Sequence, residues 1–249
     1  MRTPDAIKKF IGLATMEKLA EALAEYRYSK ADFHCSPETY QALDRLLPRK
    51  GFYLDVGAHD GRTFSNTWHL DIKSQWSGIL IEPILHQYFE MRKQRSERNK
   101  FFYCACVGEE YKSDHLPIIY AGLMSISPAT SDWDADAHSK EGRNFITQHH
   151  TTELTYAPAR TLNSILMASD APRLIDLLSL DVEGAELSVL NGIDLNEFKF
   201  KVIIIETARD SEAYKRLLNY GYILSEELQG NLFFRLDFHD ERHSKFFNA

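Results

Sequence analysis

The sequence predicts an α/β fold with a doubly wound, mostly parallel sheet, and three observations support this prediction. Strand-like apolar segments alternate with segments of helical periodicity from residue 51 onward. Residues 79–81 and 202–205 are apolar without alternation, as in strands that are covered on both faces. Two short strand candidates flank a turn signal at residues 229–231, which indicates a C-terminal antiparallel hairpin. The fold class is therefore Rossmann-like, with an N-terminal helical appendage before the sheet.

The segments of the main domain follow one another in a regular order. The predicted strands cover residues 51–57, 76–83, 101–108, 174–184, 200–207, 221–227 and 232–238. Helices are predicted in the 60s, over residues 84–98, from about residue 184, and over residues 211–220.

Two helices are predicted before the first strand. Apolar residues recur at spacings of three and four over residues 5–28, which is typical of an amphipathic helix. Ser36 and Pro37 have the pattern of a second helix start, and that helix ends before Pro48. We therefore assign residues 1–50 to an N-terminal helical appendage and residues 51–249 to the main domain.

Composition excludes several classes of protein. The 249 residues include 29 basic and 36 acidic residues, for a net charge of −7, and 44% are hydrophobic. This is the composition of a globular domain with a core large enough to fold without disulfides, so a disordered chain and a miniprotein are excluded. The net acidity and the lack of a basic block argue against nucleic acid or a membrane surface as a partner.

Cysteine usage and the N-terminus bear on location. The three cysteines are Cys35, Cys104 and Cys106, an odd number, and the last two are too close along one strand to cross-link easily. The first residues lack the apolar core of a signal peptide, and the sequence has no run of 18 apolar residues. We therefore expect a reducing, cytoplasmic location.

A polar stretch at about residues 109–160 interrupts the alternation of strands and helices. Almost fifty residues without clear periodicity inside a compact domain more often form a functional loop or insertion than a linker. We assign it to the substrate side of the domain. The alternative is a surface insertion without a binding role.

A glycine-containing turn follows the first strand. Gly57 and Gly61 let a ligand approach the backbone closely, and a helix starting at Arg62 would favour an anionic group there. The same pattern also occurs in turns that have only a structural role.

Glu82 ends the second strand, 21 residues after Gly61. A doubly wound nucleotide-binding fold places at this point the carboxylate that accepts hydrogen bonds from the ribose hydroxyls. Pro83 could then line one face of a purine. Taken alone, an acid at a strand end is more often a helix cap or a solvated charge.

The spacing of the glycines and the order of several motifs resemble a known family. An aspartate followed by Gly57-x-x-x-Gly61 resembles the first motif of class I S-adenosylmethionine-dependent methyltransferases, and differs from the G-x-G-x-x-G of dinucleotide sites. Over residues 51 to about 207 the chain is similar to the FkbM methyltransferase family. The segments that carry the resemblance are LDVGAHDG (54–61), ILIEP (79–83), CACVGEE (104–110), AGLMS (121–125), RTLNSIL (160–166), LSLDVEGAELSVLNGI (178–193) and IIIET (203–207). Two positions depart from the family pattern, since His59 stands where many members carry Asn and Asn163 where many carry Asp.

The resemblance implies a Rossmann-like enzyme that takes a methyl group from S-adenosyl-L-methionine and usually transfers it to a hydroxyl of a sugar, a glycan or a polyketide-type metabolite. It also implies that Asp55 lies near the methionine ammonium group of the cofactor. The residues assigned to cofactor binding are Asp55, Gly57, Ala58, His59, Asp60, Gly61, Glu82, Pro83, Cys106 and Asp181.

Methyl transfer to a hydroxyl oxygen calls for a positioned base, because the oxygen loses its proton as it attacks. Asp181 and Glu183 follow a buried strand at positions i and i+2, so both can face the crevice at the sheet edge. We favour these two as catalytic residues, with Glu206 and His59 as further candidates. For Glu183 the alternative is a helix cap, and for Glu206 a strand-end acid bonded to nearby backbone.

A metal site is considered and not favoured. His149 and His150, with the aspartates at 132, 134 and 136, lie in the polar stretch, but their spacing matches no compact ligand motif. Cys104 and Cys106 fit core packing better than a metal or redox site. We therefore expect no metal.

Two other functions remain as alternatives. A non-catalytic binding module could keep the cofactor fold, although its intact motif residues argue against loss of activity. An NAD-dependent short-chain dehydrogenase needs a Tyr-x-x-x-Lys pair after the nucleotide turn, whereas the prominent match at residues 26–30 precedes it. The expected partner is a small-molecule or glycan acceptor, and the oligomeric state stays open.

Overall fold

The computed structural model describes residues 35–142, residues 153–240 and residue 246. The helix predicted over residues 5–28 and the His149-His150 pair lie outside these residues.

The described chain alternates strands and helices from its first residues. The strands are β1 (Phe52–Val56), β2 (Ser77–Glu82), β3 (Lys100–Tyr103), β4 (Ala105–Val107), β5 (His115–Tyr120), β6 (Glu153–Thr161), β7 (Leu174–Leu180), β8 (Lys199–Glu206), β9 (Tyr222–Leu228) and β10 (Asn231–Leu236). The α-helices are α1 (Pro37–Leu46), α2 (Trp68–Ile72), α3 (Leu85–Gln94), α4 (Ala135–Gly142), α5 (Leu162–Ala168), α6 (Glu186–Asn191) and α7 (Glu212–Asn219), and a 3₁₀ turn covers Gly122–Met124.

The main sheet has seven strands in the order β3-β2-β1-β7-β8-β10-β9. The first five of these are parallel, and β10 pairs antiparallel with both β8 and β9. The strand order reverses between β1 and β7, so a crevice opens at the carboxyl ends of these two strands, where doubly wound folds bind ligands. The predicted fold class, including the C-terminal hairpin, is confirmed.

Alternate residues of each central strand enter two separate cores. In β1, Leu54 packs with the cluster under α5, α6 and α7, whereas Tyr53 packs with the cluster under α1, α2 and α3. In β8, Ile203 and Ile204 divide in the same way. Side chains of a strand point to opposite faces in turn, so a strand covered by helices on both faces is apolar throughout. This explains the continuous apolar runs of the sequence.

The segment 101–108 forms two strands instead of one, so that part of the prediction is wrong. Strand β3 joins the main sheet beside β2, but β4 pairs with β6 in a separate three-stranded sheet of order β4-β6-β5. Cys104 lies between the two strands and is buried. Both halves of the segment are at least partly buried, so its apolar run does not reveal that the chain passes from one sheet to the other.

The polar stretch at about 109–160 contains β5 and most of β6. These strands form a wall next to the carboxyl edge of the main sheet.

Helix α1 packs directly on the main sheet. Ser36 caps it, because its hydroxyl accepts a hydrogen bond from the Thr39 N–H at 3.1 Å, as its sequence predicts. Ala42 and Leu43 are fully buried in the same core as Tyr53. The division of the chain at residue 50 stays a prediction.

Candidate functional site

Two adjoining pockets open at the carboxyl ends of the main sheet. The first has a volume of about 690 Å³ and lies against the ends of β1, β2 and β7, with the second sheet opposite. The second has a volume of about 490 Å³ and lies against β1, β7 and the loop at residues 63–66. The residues that line both pockets are Gly57, His59, Leu123, Asp181 and Glu183.

Gly57 lets the turn after β1 pass against the end of β7. Its φ is +86°, and a Cβ at this position would lie 1.8 Å from the backbone oxygen of Asp181. The Gly57 and Ala58 N–H groups both donate to the Ile81 oxygen, at 3.1 Å each. Only glycine meets both the backbone and the steric requirement. Gly57 lines both pockets, and Ala58 lines the second pocket.

Asp60 and Gly61 stabilise the turn and line neither pocket. The Asp60 carboxylate accepts hydrogen bonds from the N–H groups of Arg62 and Thr63, at 2.8 and 2.7 Å. Burial opposes the charge of Asp60, but the nearby His59 ring, the Thr63 hydroxyl and these two N–H groups outweigh it and hold the pKa of Asp60 well below its usual range. The helix expected from Arg62 begins only at Trp68. The expectation of a helix start at Arg62 is therefore wrong, and the N–H groups of Arg62 and Thr63 are bound by the Asp60 side chain.

Asp55 belongs to a buried network behind the turn. Its Oδ2 accepts hydrogen bonds from Thr67 and, at 3.3 Å, from Arg95, whose side chain is fully buried. Burial raises the pKa of Asp55, and the Arg95 guanidinium opposes this effect. Arg95 also donates to Ser65 at 2.7 Å and to the Gly61 backbone oxygen. Asp55 lines the second pocket, and its ion pair with Arg95 connects that wall to the end of α3.

Glu82 orders the rim of the first pocket. Its two carboxylate oxygens accept hydrogen bonds from the N–H groups of His59 and Ile84, at 2.8 Å each. Burial raises the pKa of Glu82 to about 7, against the lowering effect of His59 and of the two N–H donors. A carboxylate oxygen accepts more than one hydrogen bond, so both oxygens keep acceptor capacity toward the pocket. Pro83 follows on the same wall.

The apolar part of the first pocket comes from both sheets. Cys104 and Cys106 lie on it, with Leu116 and Ile118 of β5 opposite. Burial raises the pKa of Cys106 well above its usual value, so the thiol is neutral, and the three cysteines are unbridged. A flat aromatic ring fits a wall of this composition.

Asp181 and Glu206 are neighbours at the ends of adjacent strands. Leu180 pairs with Ile205, so the next residue of each strand brings the two carboxyl groups side by side. The Asp181 side chain is accessible within the pockets, although protein surrounds the pockets on most sides. Burial and the charge of Glu206 raise the pKa of Asp181. Glu206 lines neither pocket, so it acts on Asp181 through its charge.

Glu183 faces the pockets and contacts the insertion. Its Oε2 lies 2.7 Å from Nε2 of His138 on α4. Burial, reinforced by the charge of Asp181, raises the pKa of Glu183 to about 9. The backbone of Glu183 has a φ of +55°, which is uncommon for a residue other than glycine and often marks functional sites.

Glu186, and not Glu183, satisfies the backbone of the turn before α6. The Glu186 Oε1 accepts hydrogen bonds from the N–H groups of Val182 and Gly184, at 3.0 and 3.3 Å. Burial raises the pKa of Glu186 to about 7, and these donors oppose the rise. Because Glu186 satisfies the turn, the carboxylate of Glu183 stays available to the pockets.

His59 lies where the two pockets meet. Its Nδ1 is buried and has no hydrogen-bond partner among the described residues, and Asp60 Oδ1 lies 3.6 Å away. Its φ is +48°, and its N–H is the donor to Glu82. A buried ring nitrogen without a partner on a pocket wall is a site for a polar group of a ligand.

The described part of the chain contains neither a cluster of metal ligands nor a helix suited to span a membrane. Among residues 35–142 and 153–240, no three His, Cys, Asp or Glu side chains are arranged to hold a metal ion. Asp134 has a local role there, since its carboxylate accepts hydrogen bonds from the first N–H groups of α4. Within the same residues, no helix combines the length and hydrophobicity that crossing a membrane requires.

Several pocket or support residues carry no recognisable sequence signal. Arg95 is one of four basic residues in a short stretch, and nothing distinguishes it before folding buries it. His138 is one of several polar residues of the insertion. Phe64 is 72% exposed on the second pocket, and Asn66 donates to Ser179 there at 3.2 Å. A positive φ of +54° at Phe64 is visible only in the structure.

Solved structures similar to this one are methyltransferases. A methyltransferase FkbM from Methylobacillus flagellatus KT is 15% identical with a TM-score of 0.46, over 75% of this chain and 44% of that one. A precorrin-6y C5,15-methyltransferase from Geobacter metallireducens GS-15 is 10% identical with a TM-score of 0.40, over 79% and 84%. A methyltransferase from Geobacter sulfurreducens is 13% identical with a TM-score of 0.40, over 93% and 96%. The chain thus spans less than half the length of the Methylobacillus protein.

Sequence comparison identifies the family. No curated protein gives a significant match. The methyltransferase FkbM domain matches residues 55–224, which is well over half of the chain and includes the turn after β1, the end of β2 and the turn after β7. The chain therefore belongs to the FkbM family of S-adenosylmethionine-dependent methyltransferases.

Proposed function

We propose that the protein transfers a methyl group from S-adenosylmethionine to a hydroxyl oxygen of a sugar, a glycan or a hydroxylated secondary metabolite. One observation carries the proposal. The carboxylates of Asp181 and Glu183 lie on the wall that the two pockets share. A cofactor that extends from the first pocket toward Asp55 and an acceptor beside residues 63–66 of the second pocket would meet next to these two groups.

The described residues fit the cofactor. Glu82 has free acceptor capacity for the ribose hydroxyls, and Pro83 and Cys106 line the apolar part of the pocket for the adenine. Gly57 leaves open the space next to the Asp181 backbone, and Asp55 lies on the second pocket for the methionine end. When bound, the cofactor supplies an electrophilic methyl group on a positively charged sulfur.

The carboxylates would perform two tasks. A carboxylate beside the pockets would stabilise the sulfonium cation, and the cation would in turn lower the pKa values of Asp181 and Glu183, which burial raises in the ligand-free protein. One of the two side chains then takes the proton of the attacking hydroxyl. Glu206, at the end of the neighbouring strand β8, would add negative charge beside Asp181.

The outer wall of the second pocket favours a hydroxylated acceptor. Thr63, Ser65 and Asn66 offer hydroxyl and amide groups, and the exposed Phe64 offers an aromatic face next to them. Aromatic faces stack on the apolar face of a sugar ring while neighbouring polar groups bind its hydroxyls. The net charge of −7 favours a neutral or cationic acceptor over a polyanion such as nucleic acid. A cytoplasmic location stays a prediction for cell fractionation to test.

The first experiment measures thermal unfolding with S-adenosylhomocysteine and, separately, with NADH. At about 100 times its dissociation constant a ligand adds about 2.7 kcal/mol, which is a rise of about 5–10 °C in a domain of this size. We expect a rise with S-adenosylhomocysteine only, and its loss in Glu82→Ala. Glu90→Ala, which changes an exposed residue of α3, is the matched control and keeps the rise.

The second experiment measures release of S-adenosylhomocysteine over a panel of sugars and hydroxylated metabolites. We expect Asp181→Asn to bind the cofactor and to lower kcat by about 100-fold or more on the acceptor that is found. A thermal rise with NADH alone would contradict the proposed function, and undiminished turnover in Asp181→Asn would contradict the site.

A further inference from the structure

The insertion is fastened to the turn that carries Glu183. The Ser131 hydroxyl donates to the Glu183 backbone oxygen at 2.9 Å, and the Asp132 N–H donates to the Gly184 oxygen at 3.0 Å. A Cβ on Gly184 would lie 2.8 Å from the ring of Trp133, so the turn and the insertion are in close contact. These contacts place α4 over the turn.

His138 on α4 makes the one side-chain hydrogen bond of the Glu183 carboxylate within the described residues. Its Nε2 lies 2.7 Å from Glu183 Oε2, and both side chains are largely buried, at 14% and 17% exposed. The Trp133 ring packs on the imidazole with a centroid separation of 4.9 Å. At this distance the two side chains share one hydrogen-bonding proton, so we expect their titrations to be coupled.

The surroundings of the pair are acidic. Glu141 and Glu206 act on His138, while Asp181, Glu186 and Glu206 act on Glu183. Burial lowers the pKa of His138 against the raising effect of Glu141 and Glu206, and raises the pKa of Glu183. The pair therefore has the composition to hold one proton near neutral pH, with an overall charge of zero in either arrangement.

We infer that His138 is a positioning residue for the proposed methyl transfer, which orients Glu183 and takes over the proton that Glu183 receives from the acceptor. The inference rests on the proposed function and names the route of the proton. Glu183 Oε2 is bonded to His138, so its Oε1 is the oxygen left to face the pockets.

The step balances. The acceptor oxygen bonds to the methyl carbon as the carbon–sulfur bond breaks, and the electron pair of that bond stays on sulfur. The hydroxyl proton passes to Oε1 of Glu183, while the proton on Oε2 passes to Nε2 of His138. The positive charge lost from sulfur reappears as an imidazolium, and no other reactant is needed.

Glu141 and Glu206 favour the imidazolium form of His138, in opposition to burial, which lowers the pKa of His138. The positive charge moves only from the cofactor sulfur to the His138 ring. The reaction therefore does not separate a positive from a negative charge in a partly buried site, which would be costly.

The first test uses the protein without ligands. NMR titration of the imidazole nitrogens follows His138, whose signals are assigned by their absence in H138Q. In the wild type we expect His138 to titrate in two steps shared with Glu183, and in Glu183→Gln to titrate in a single step. The same single step in both proteins would overturn the inference, whatever the acceptor is.

The second test measures turnover on the acceptor found by the metabolite panel. We expect H138Q to lower kcat by at least about 100-fold, to leave S-adenosylhomocysteine affinity within about twofold, and to change the pH profile of kcat. If the proton relay is needed, H138A lowers kcat as much as H138Q does, because neither alanine nor glutamine takes up a proton. H115Q changes an exposed histidine of β5 and is the control that keeps wild-type turnover.

The variants distinguish the orientation of Glu183 by His138 from the relay of its proton. If H138Q restores the turnover that H138A loses, His138 only orients Glu183 and the relay is wrong. A failed thermal shift with S-adenosylhomocysteine overturns the proposed function instead, and the ligand-free titration still reports on the pair.

Discussion

At the scale of single residues, backbone geometry decides where the site forms. Gly57 has a positive φ and lies so close to Asp181 that a methyl group does not fit. Gly230 in the C-terminal hairpin has almost the same φ, +84°, but nothing lies within 4 Å of a Cβ there. The two glycines therefore separate the cost of backbone conformation from the cost of close approach.

We expect Gly230→Ala to lower the free energy of unfolding by about 1–2 kcal/mol, which is the cost of the left-handed conformation. Gly57→Ala adds a steric clash with backbone, so its loss is larger, by about 2 kcal/mol or more. Urea unfolding of both variants measures the difference. Equal losses would show that the turn shifts freely and that Gly57 is not held against β7.

At the scale of elements, the loop between β1 and α2 depends on Arg95 at the end of α3. The Arg95 guanidinium donates to Asp55, Ser65 and the Gly61 oxygen, so it joins a strand, a loop and a turn. A buried ion pair that loses one partner leaves an uncompensated charge, which costs more than the pair contributes. The glycine turn is thus held from behind by a residue that lines neither pocket.

We expect Arg95→Met to lower the free energy of unfolding by about 3–5 kcal/mol, because Asp55 stays buried without its cation. Lys93→Met, two residues earlier on the exposed face, removes only a surface ion pair and costs about 0.5 kcal/mol or less. Denaturant unfolding of both variants measures the two losses in free energy of unfolding. A loss below about 1 kcal/mol in Arg95→Met would show that water replaces the guanidinium.

At the scale of the whole molecule, the fold concentrates carboxyl groups at one edge of the sheet. Glu82, Asp181, Glu183 and Glu186 all have raised pKa values, with burial as the main cause. Such groups hold protons more tightly in the folded state than in the unfolded state. Their contribution to stability is therefore complete below about pH 4.5 and is lost as pH rises through the folded pKa values.

Glu186 offers a direct test, since its folded pKa is about 7 against 4.5 for an unperturbed carboxyl. We expect the wild type to lose stability between pH 5 and pH 8, and Glu186→Gln to remove up to about 3 kcal/mol of that loss. The amide oxygen can still accept from the Val182 and Gly184 N–H groups. Thermal unfolding across this pH range measures the slope.

The control for the pH experiment is Glu212→Gln, an exposed residue of α7 paired with Lys215. Its effect should be small and nearly independent of pH. If Glu186→Gln follows the wild-type slope, the loss of stability comes from other groups of the cluster.

The order of strands and helices, the glycine turn and the acid ending β2 were predictable from the sequence, because apolar periodicity and glycine are properties of neighbouring residues. The sequence also predicted that Asp181 and Glu183 follow a buried strand together, and the structure places both on the pockets. Two local expectations failed. The helix expected from Arg62 begins only at Trp68, and segment 101–108 divides between two sheets.

The sequence by itself determined the fold class, the family and the residues at the ends of the central strands, since these depend on short-range pattern. Only the tertiary structure brought Arg95 to Asp55 and His138 to Glu183, across 40 and 45 residues of chain. Nothing in the local sequence distinguishes either residue from its charged neighbours. Their roles arise from burial, which removes water and leaves each of them with one specific carboxylate partner.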